Sequence, residues 1–215
     1  MGDTPLAWAA RNGHEGVVEI LLSRDDIDSD KPGENGRTPL MLAAWYGHEG
    51  VVKMLLGQDD VNPDKSGEFG QTPLCLAAQI EHEAVVKMLL GRDDVNPNMQ
   101  GMNAHTPLWL AARAGHEGVV KLLLGRDDIE PDGPCLPGDT PLWQAAAHGH
   151  EAVVKMLLGQ NANTNNPDRY GRTLLSMAAA NGHEGVVKLL LEWAVVNPDL
   201  PDKHGQRPFS YGFTI

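Results

Sequence analysis

The chain has 215 residues, with 29 Asp and Glu against 17 Lys and Arg, a formal net charge of −12 at pH 7. Nucleic acid and anionic membrane both require a basic footprint, so this balance argues against either as a partner. No run of about 18 apolar residues and no basic-then-apolar leader is present. Two cysteines, Cys75 and Cys135, read as free thiols of a reducing compartment, and the expected location is intracellular, in the cytoplasm.

A single phrase recurs along the chain. Thr-Pro-Leu or a close variant begins at Thr4, Thr38, Thr72, Thr106, Thr140 and Thr173, at steps of 34 residues with a last step of 33. A broken seventh copy begins at Arg207-Pro208-Phe209. A fixed period of this length marks an array of one supersecondary unit. In the second copy Thr38 suits a helix N-cap, and Pro39 suits the first helical position, where its missing N–H is no loss. Leu40, Ala43 and Ala44 then form an apolar stripe, and Gly47 ends the helix. His48-Glu49 opens a second helix with Val51, Val52, Leu55 and Leu56 on one face, closed by Gly57. Asp59-Asp60 and Asn62-Pro63 read as a loop. Each unit is thus two short antiparallel helices and an extended connection. One unit alone cannot bury both apolar faces, whereas stacked units can.

Taken in order, the first copy opens abruptly from Met1-Gly2-Asp3 without a polar capping helix, as a piece of a longer array would. The boundaries fall near 1–32, 33–66, 67–100, 101–134, 135–167 and 168–201, with a partial copy at 202–215, and all of 1–215 is expected to form one domain. Repeat three has Glu81 in place of the helix-ending Gly, so its turn is expected to be altered, and repeat four has Ala104 where the neighbouring hairpins have Gly36, Gly70, Gly138 and Gly171. Repeat five is entered through Pro134-Cys135-Leu136-Pro137. In repeat six Leu174 replaces the Pro, and Phe209-Ser210-Tyr211-Gly212-Phe213 reads as a truncated last helix over the open end. The Asp-Asp pairs at 25–26, 59–60, 93–94 and 127–128 read as a solvated loop edge.

The pattern Thr-Pro-Leu-x-x-Ala-Ala-x-x-Gly-His-Glu-x-Val-Val-Lys-x-Leu-Leu resembles the ankyrin repeat over nearly the whole chain, and the Asp-Asp-Val-Asn-Pro connection is similar to that of fungal-type ankyrin arrays. The resemblance implies an all-α solenoid of antiparallel helix pairs with short β-hairpin-like loops. It also implies an intracellular scaffold that binds a protein partner with no cofactor, as a monomer or as part of a longer chain. The two positions after Ala-Ala would face the concave groove and vary with the ligand; here they include Trp45-Tyr46, Arg113-Ala114 and Ala147-His148. The family's His after Thr-Pro-Leu is replaced by Ala7, Met41, Cys75, Trp109, Trp143 and Ser176.

The recurrent His14, His48, His82, His116, His150 and His183, each followed by Glu, suggest a metal site only superficially. Equivalent residues on packed helices lie about 8–10 Å apart, whereas zinc holds its ligand atoms at about 2 Å. The resemblance gives these histidines a structural role instead, and no metal is expected. No phosphate loop, Cys-x-x-Cys pair or nucleophile elbow is present, so chemistry is not the expected role, although enzyme activity stays open. The candidate partner- or ligand-binding residues are Trp45, Tyr46, Phe69, His105, Trp109, Arg113, Trp143, His148, Tyr170 and Arg172. Trp109 and Trp143 either floor the groove or pack between repeats. A competing reading gathers Trp109, Trp143, His105 and His148 into a small-molecule pocket, with His105 and His148 as weak candidates for acid–base catalysis.

Overall fold

A computed structural model describes residues 2–133, 138–164, 167–168 and 170–193, without the side chain of Met102. Cys135 and the partial copy at 202–215 lie outside the described residues. The described residues are helical, with no strand among them. The helices are α1 (Pro5–Arg11), α2 (Glu15–Leu22), α3 (Pro39–Tyr46), α4 (Glu49–Leu56), α5 (Pro73–Gln79), α6 (Glu83–Leu90), α7 (Pro107–Ala114), α8 (Glu117–Leu124), α9 (Pro141–Ala147), α10 (Glu151–Gly159), α11 (Leu174–Ala180) and α12 (Glu184–Glu192). These are the antiparallel helix pairs expected from the repeats. The chain divides into two compact units, residues 1–107 with 125–129, and residues 108–124 with 130–215.

Each inner helix starts as its sequence requires. The hydroxyls of Thr4, Thr38, Thr72, Thr140 and Thr173 accept the amides of Ala7, Met41, Cys75, Trp143 and Ser176 at 3.1–3.2 Å. In the first unit α1, α3 and α5 pack side by side, as do α2, α4 and α6. The inner-helix alanines Ala9, Ala10, Ala43, Ala44, Ala77 and Ala78 are buried and let the backbones approach closely, and Val18, Val51, Val52, Val85 and Val86 fill the space behind them. In the second unit α9 packs on α11 and α10 on α12, over Ala145, Ala146, Val153, Val154, Leu157 and Leu158.

The loops between helix pairs form hairpin-like turns without strand pairing: Gly33 N–H donates to Arg37 O at 2.8 Å, Gly67 to Gln71 at 3.2 Å and Gly101 to His105 at 2.8 Å. Glu81 does not alter its turn. It takes the left-handed conformation itself, at φ 62°, and His82 N–H still reaches Ala77 O at 3.1 Å, as His48 N–H reaches Ala43 O at 3.0 Å. Ala104 is likewise left-handed at φ 62°.

The acidic edge is more structured than a row of solvated charges. Asp26, Asp94 and Asp128, the second members of their pairs, each receive two guanidinium bonds from Arg24, Arg92 and Arg126, two residues earlier. These arginines hold the three carboxyls below the ordinary carboxylate value. Two of the arginines also reach back one repeat, Arg92 Nη1 to Leu56 O and Arg126 Nη1 to Leu90 O. In repeat two Gln58 stands at this position and donates to Met54 O of its own helix.

Candidate functional site

Four of the six histidines that invite a metal reading are committed to the backbone. His48 Nε2 lies 2.9 Å from Arg11 O, His82 Nε2 3.1 Å from Trp45 O, His150 Nε2 3.0 Å from Arg113 O and His183 Nε2 3.0 Å from Ala147 O. A carbonyl can only accept, so Nε2 carries the proton in each case. Each ring therefore ties its repeat to the end of the preceding inner helix. Among the described residues no group of three or more His, Cys, Asp or Glu is placed to hold a metal.

In the first unit the C-terminal ends of α1 and α3 bring together a cation and aromatic rings. The Arg11 guanidinium lies 5.3 Å from the Trp8 ring centre and 5.7 Å from that of Tyr46. Tyr46 in turn stacks on His48 at 6.2 Å between centroids. Trp8 is 52% exposed and Tyr46 41%, while Trp45 is half-buried. Phe69 stands 54% exposed on the Gly67–Gln71 turn, and His105 is half-buried at the end of its own turn.

The second unit contains two further stacked cations. Arg113 lies 5.3 Å over Trp109, and Arg172 lies 5.8 Å from the Trp143 ring and 5.1 Å from Tyr170. Arg172 is held by Asp168 through Nε at 2.8 Å and Nη2 at 2.7 Å. Burial raises the Asp168 pKa, but the Arg172 guanidinium and the amides of Arg172 and Tyr170 outweigh it, and the net shift is downward. His148 is exposed; its Nδ1 meets Gln144 O at 2.9 Å and its ring stacks on His150 at 6.1 Å.

The two candidate floor tryptophans differ. Trp109 is 2% exposed, with Nε1–H donating to both the carbonyl and the carboxylate of Asp139 at 3.0 Å. Its indole is packing rather than an open floor. Trp143 is half-buried, and its Nε1–H is out of reach of solvent and finds no acceptor among the described residues. The residue matching Asp139 one repeat later is Arg172, which offers the indole a cation instead of a side-chain acceptor. The remaining substitutes for the family's histidine also find local partners: Thr38 N–H meets Met41 Sδ at 3.4 Å, and Ser176 Oγ–H donates to Thr173 O at 2.8 Å. Cys75 is a buried free thiol, its pKa raised mainly by that burial.

Two residues absent from the sequence-based set belong to this surface, Trp8 and Arg11. Trp8 occupies a position that Leu42 and Leu76 fill in the next repeats, where both are buried. Only its exposure separates it from a core residue, and the repeat pattern gives no sign of that.

Comparison with known proteins agrees with the geometry. A family model described as ankyrin repeats matches three times, over residues 1–67, 59–135 and 127–202. Among solved structures, the ankyrin repeat domain of human ASB11 is similar at 23% identity and TM-score 0.84, covering 99% of this chain and 93% of that one. The ankyrin repeat domain of Bcl-3, from the IkappaB protein family, is similar at 25% identity and TM-score 0.84, covering 99% and 95%. No curated protein matches by sequence. No described helix is long and apolar enough to cross a membrane. With the family model matched along almost the whole chain and the capped helix pairs in place, this protein belongs to the ankyrin-repeat family.

Proposed function

We propose that the chain is a non-catalytic scaffold that binds another protein through the groove lined by its inner helices and through its hairpin tips. Ankyrin repeat domains generally serve as protein-interaction scaffolds, and the finer assignment rests on one observation. Large aromatic side chains and stacked guanidiniums stand exposed or half-exposed on the inner-helix ends and turns: Trp45, Tyr46 and Phe69 in the first unit, and Arg113, Tyr170 and Arg172 in the second. Aromatic and arginine side chains dominate binding hot spots because they bury much area with few rotors. In this reading residues 1–215 act as one array inside the cell, without a cofactor, alone or within a longer chain.

An unbiased pull-down with the purified chain identifies the partner. Trp45→Ala should then weaken binding by about 2 kcal/mol or more while leaving the melting temperature nearly unchanged. Unchanged affinity in Trp45→Ala, Tyr46→Ala and Arg113→Ala would move the interface to the outer helices or the acidic edge. Native mass spectrometry of the same preparation provides a second readout. A stoichiometric small molecule there would favour the competing small-molecule reading over the scaffold.

A further inference from the structure

Six of the seven described arginines sort by location. Those that follow the outer helices, Arg24, Arg92 and Arg126, each grip an aspartate two residues on. Arg172, on a turn, grips Asp168. Arg11 and Arg113, at the C-terminal ends of inner helices, lie over tryptophan rings instead, and among the described residues neither meets a carboxylate.

Arg11 is the more constrained of the two. Trp8 and Tyr46 both present rings to its guanidinium, and Tyr46 is itself braced by His48, whose Nε2–H is bonded to Arg11 O. Ring stacking holds a guanidinium through its faces and leaves its N–H edge for in-plane acceptors. The carbonyl of the same residue is already occupied and does not compete for an incoming donor. The result is a half-buried cation held in place, with two exposed rings beside it and no ion-pair partner among the described residues.

We propose that the Trp8–Arg11–Tyr46 patch receives a carboxylate of the partner, carried on a short peptide segment with one aspartate or glutamate between apolar residues. The assignment rests on the scaffold reading above and adds the chemistry of what is bound. A carboxylate matches the planar fork of a guanidinium with two parallel hydrogen bonds, and apolar flanking residues cover the rings. The net charge of −12 opposes an acidic tract or a nucleic acid, whose many charges are repelled at long range, far more than it opposes a single carboxylate seated on one guanidinium. Arg113 over Trp109 repeats the arrangement in the second unit, there with the indole buried so that only the cation is offered.

A phage-displayed library of random 12-residue peptides, selected against the full chain, tests this. Enriched peptides are expected to share an acidic residue flanked by apolar ones. Changing that acid to its amide should weaken binding about tenfold or more, and Arg11→Gln should do the same. Arg11→Lys should recover only part, and Arg24→Gln should have no effect, with all variants melting within a few degrees of the parent. Enrichment of basic or purely apolar peptides, of phosphopeptides in a parallel phosphoserine library only, or of nothing overturns the proposal, as does parent-like binding by Arg11→Gln. Peptides that respond to Tyr46→Ala but ignore Arg11→Gln would leave the scaffold reading standing and remove the acidic chemistry. Peptides that ignore Trp45, Tyr46 and Arg11 alike would remove both.

Discussion

Gly13 and His48 share one space: a Cβ added to Gly13 would stand 2.6 Å from His48 Nδ1. The same relation links Gly47 to His82, Gly115 to His150 and Gly149 to His183, at 2.5–2.7 Å. The glycine is therefore fixed twice, by a left-handed backbone and by the ring of the next repeat. Gly13→Ala should destabilise the protein by about 2–4 kcal/mol, combining the left-handed penalty with overpacking. Gly16→Ala is the control, because nothing lies within 4 Å of a Cβ there and the residue is inside α2. It should stabilise by about 0.5–1 kcal/mol. Urea denaturation of the pair checks both signs at once.

Glu81 and Ala104 hold left-handed conformations that glycine adopts without strain. Glu81→Gly and Ala104→Gly are each expected to raise the free energy of unfolding, by about 1 kcal/mol or slightly less after the added freedom of the unfolded chain. A drop in stability for either would mean that its side chain holds the turn by contacts stronger than the backbone strain.

The two neighbouring indoles should respond oppositely to loss of the ring nitrogen. Trp109→Phe removes the donor to Asp139 and should cost about 2 kcal/mol. Trp143→Phe removes a buried N–H that has no acceptor among the described residues, and its stability should match or exceed that of the parent. Trp109→Ala should cost about 3–5 kcal/mol, as truncation of a packed aromatic does. Thermal melts of the three variants separate these outcomes.

Asp168 sets an acid-sensitive contribution. Its pKa in the folded chain lies below 3.8, its ordinary value, so its stabilisation is complete above 3.8 and is lost as the pH falls through the lowered value. Asp168→Asn should melt below the parent at pH 7, and the gap should close as the pH drops under 3.8. Asp30 and Asp64 run the other way: burial raises both, and each has one buried oxygen without a partner among the described residues. Protonating them eases folding, so they do not add to the acid loss. A gap that stays constant down to pH 2 would remove Asp168 as its source.

The repeat architecture was legible because each helix start, stripe and turn is written locally, in Thr-Pro-Leu, Ala-Ala and Gly-His. What could not be read were relations across a repeat length. His48 and Arg11 are 37 residues apart, and Trp109 and Asp139 are 30 apart. Nothing at Trp109 alone says whether its indole faces a groove or an aspartate. Trp8 was missed for the same reason, since its exposure depends on what lies beside α1 and not on its own neighbours in sequence. The loop edge is half legible: the Asp-Asp pairs are plain in the sequence, but their pairing with the arginine two residues earlier depends on the turn that brings the side chains together.

Arg92 and Arg126 each fasten their loop to the outer helix before it, whereas Gln58 turns back to its own. The seam between the first and second helix pairs thus lacks the arginine strap and relies on His48 to Arg11 O, on Lys65, whose Nζ reaches both Asp30 O and its carboxylate, and on loop amides, Ser29 N–H to the Asp60 carboxylate and Glu34 N–H to that of Asp3. Within the first unit, pulling from the ends or slow warming would open this line first. The pair α1–α2 would peel away while α3 to α6 stayed zipped, and its amides would exchange with solvent ahead of theirs.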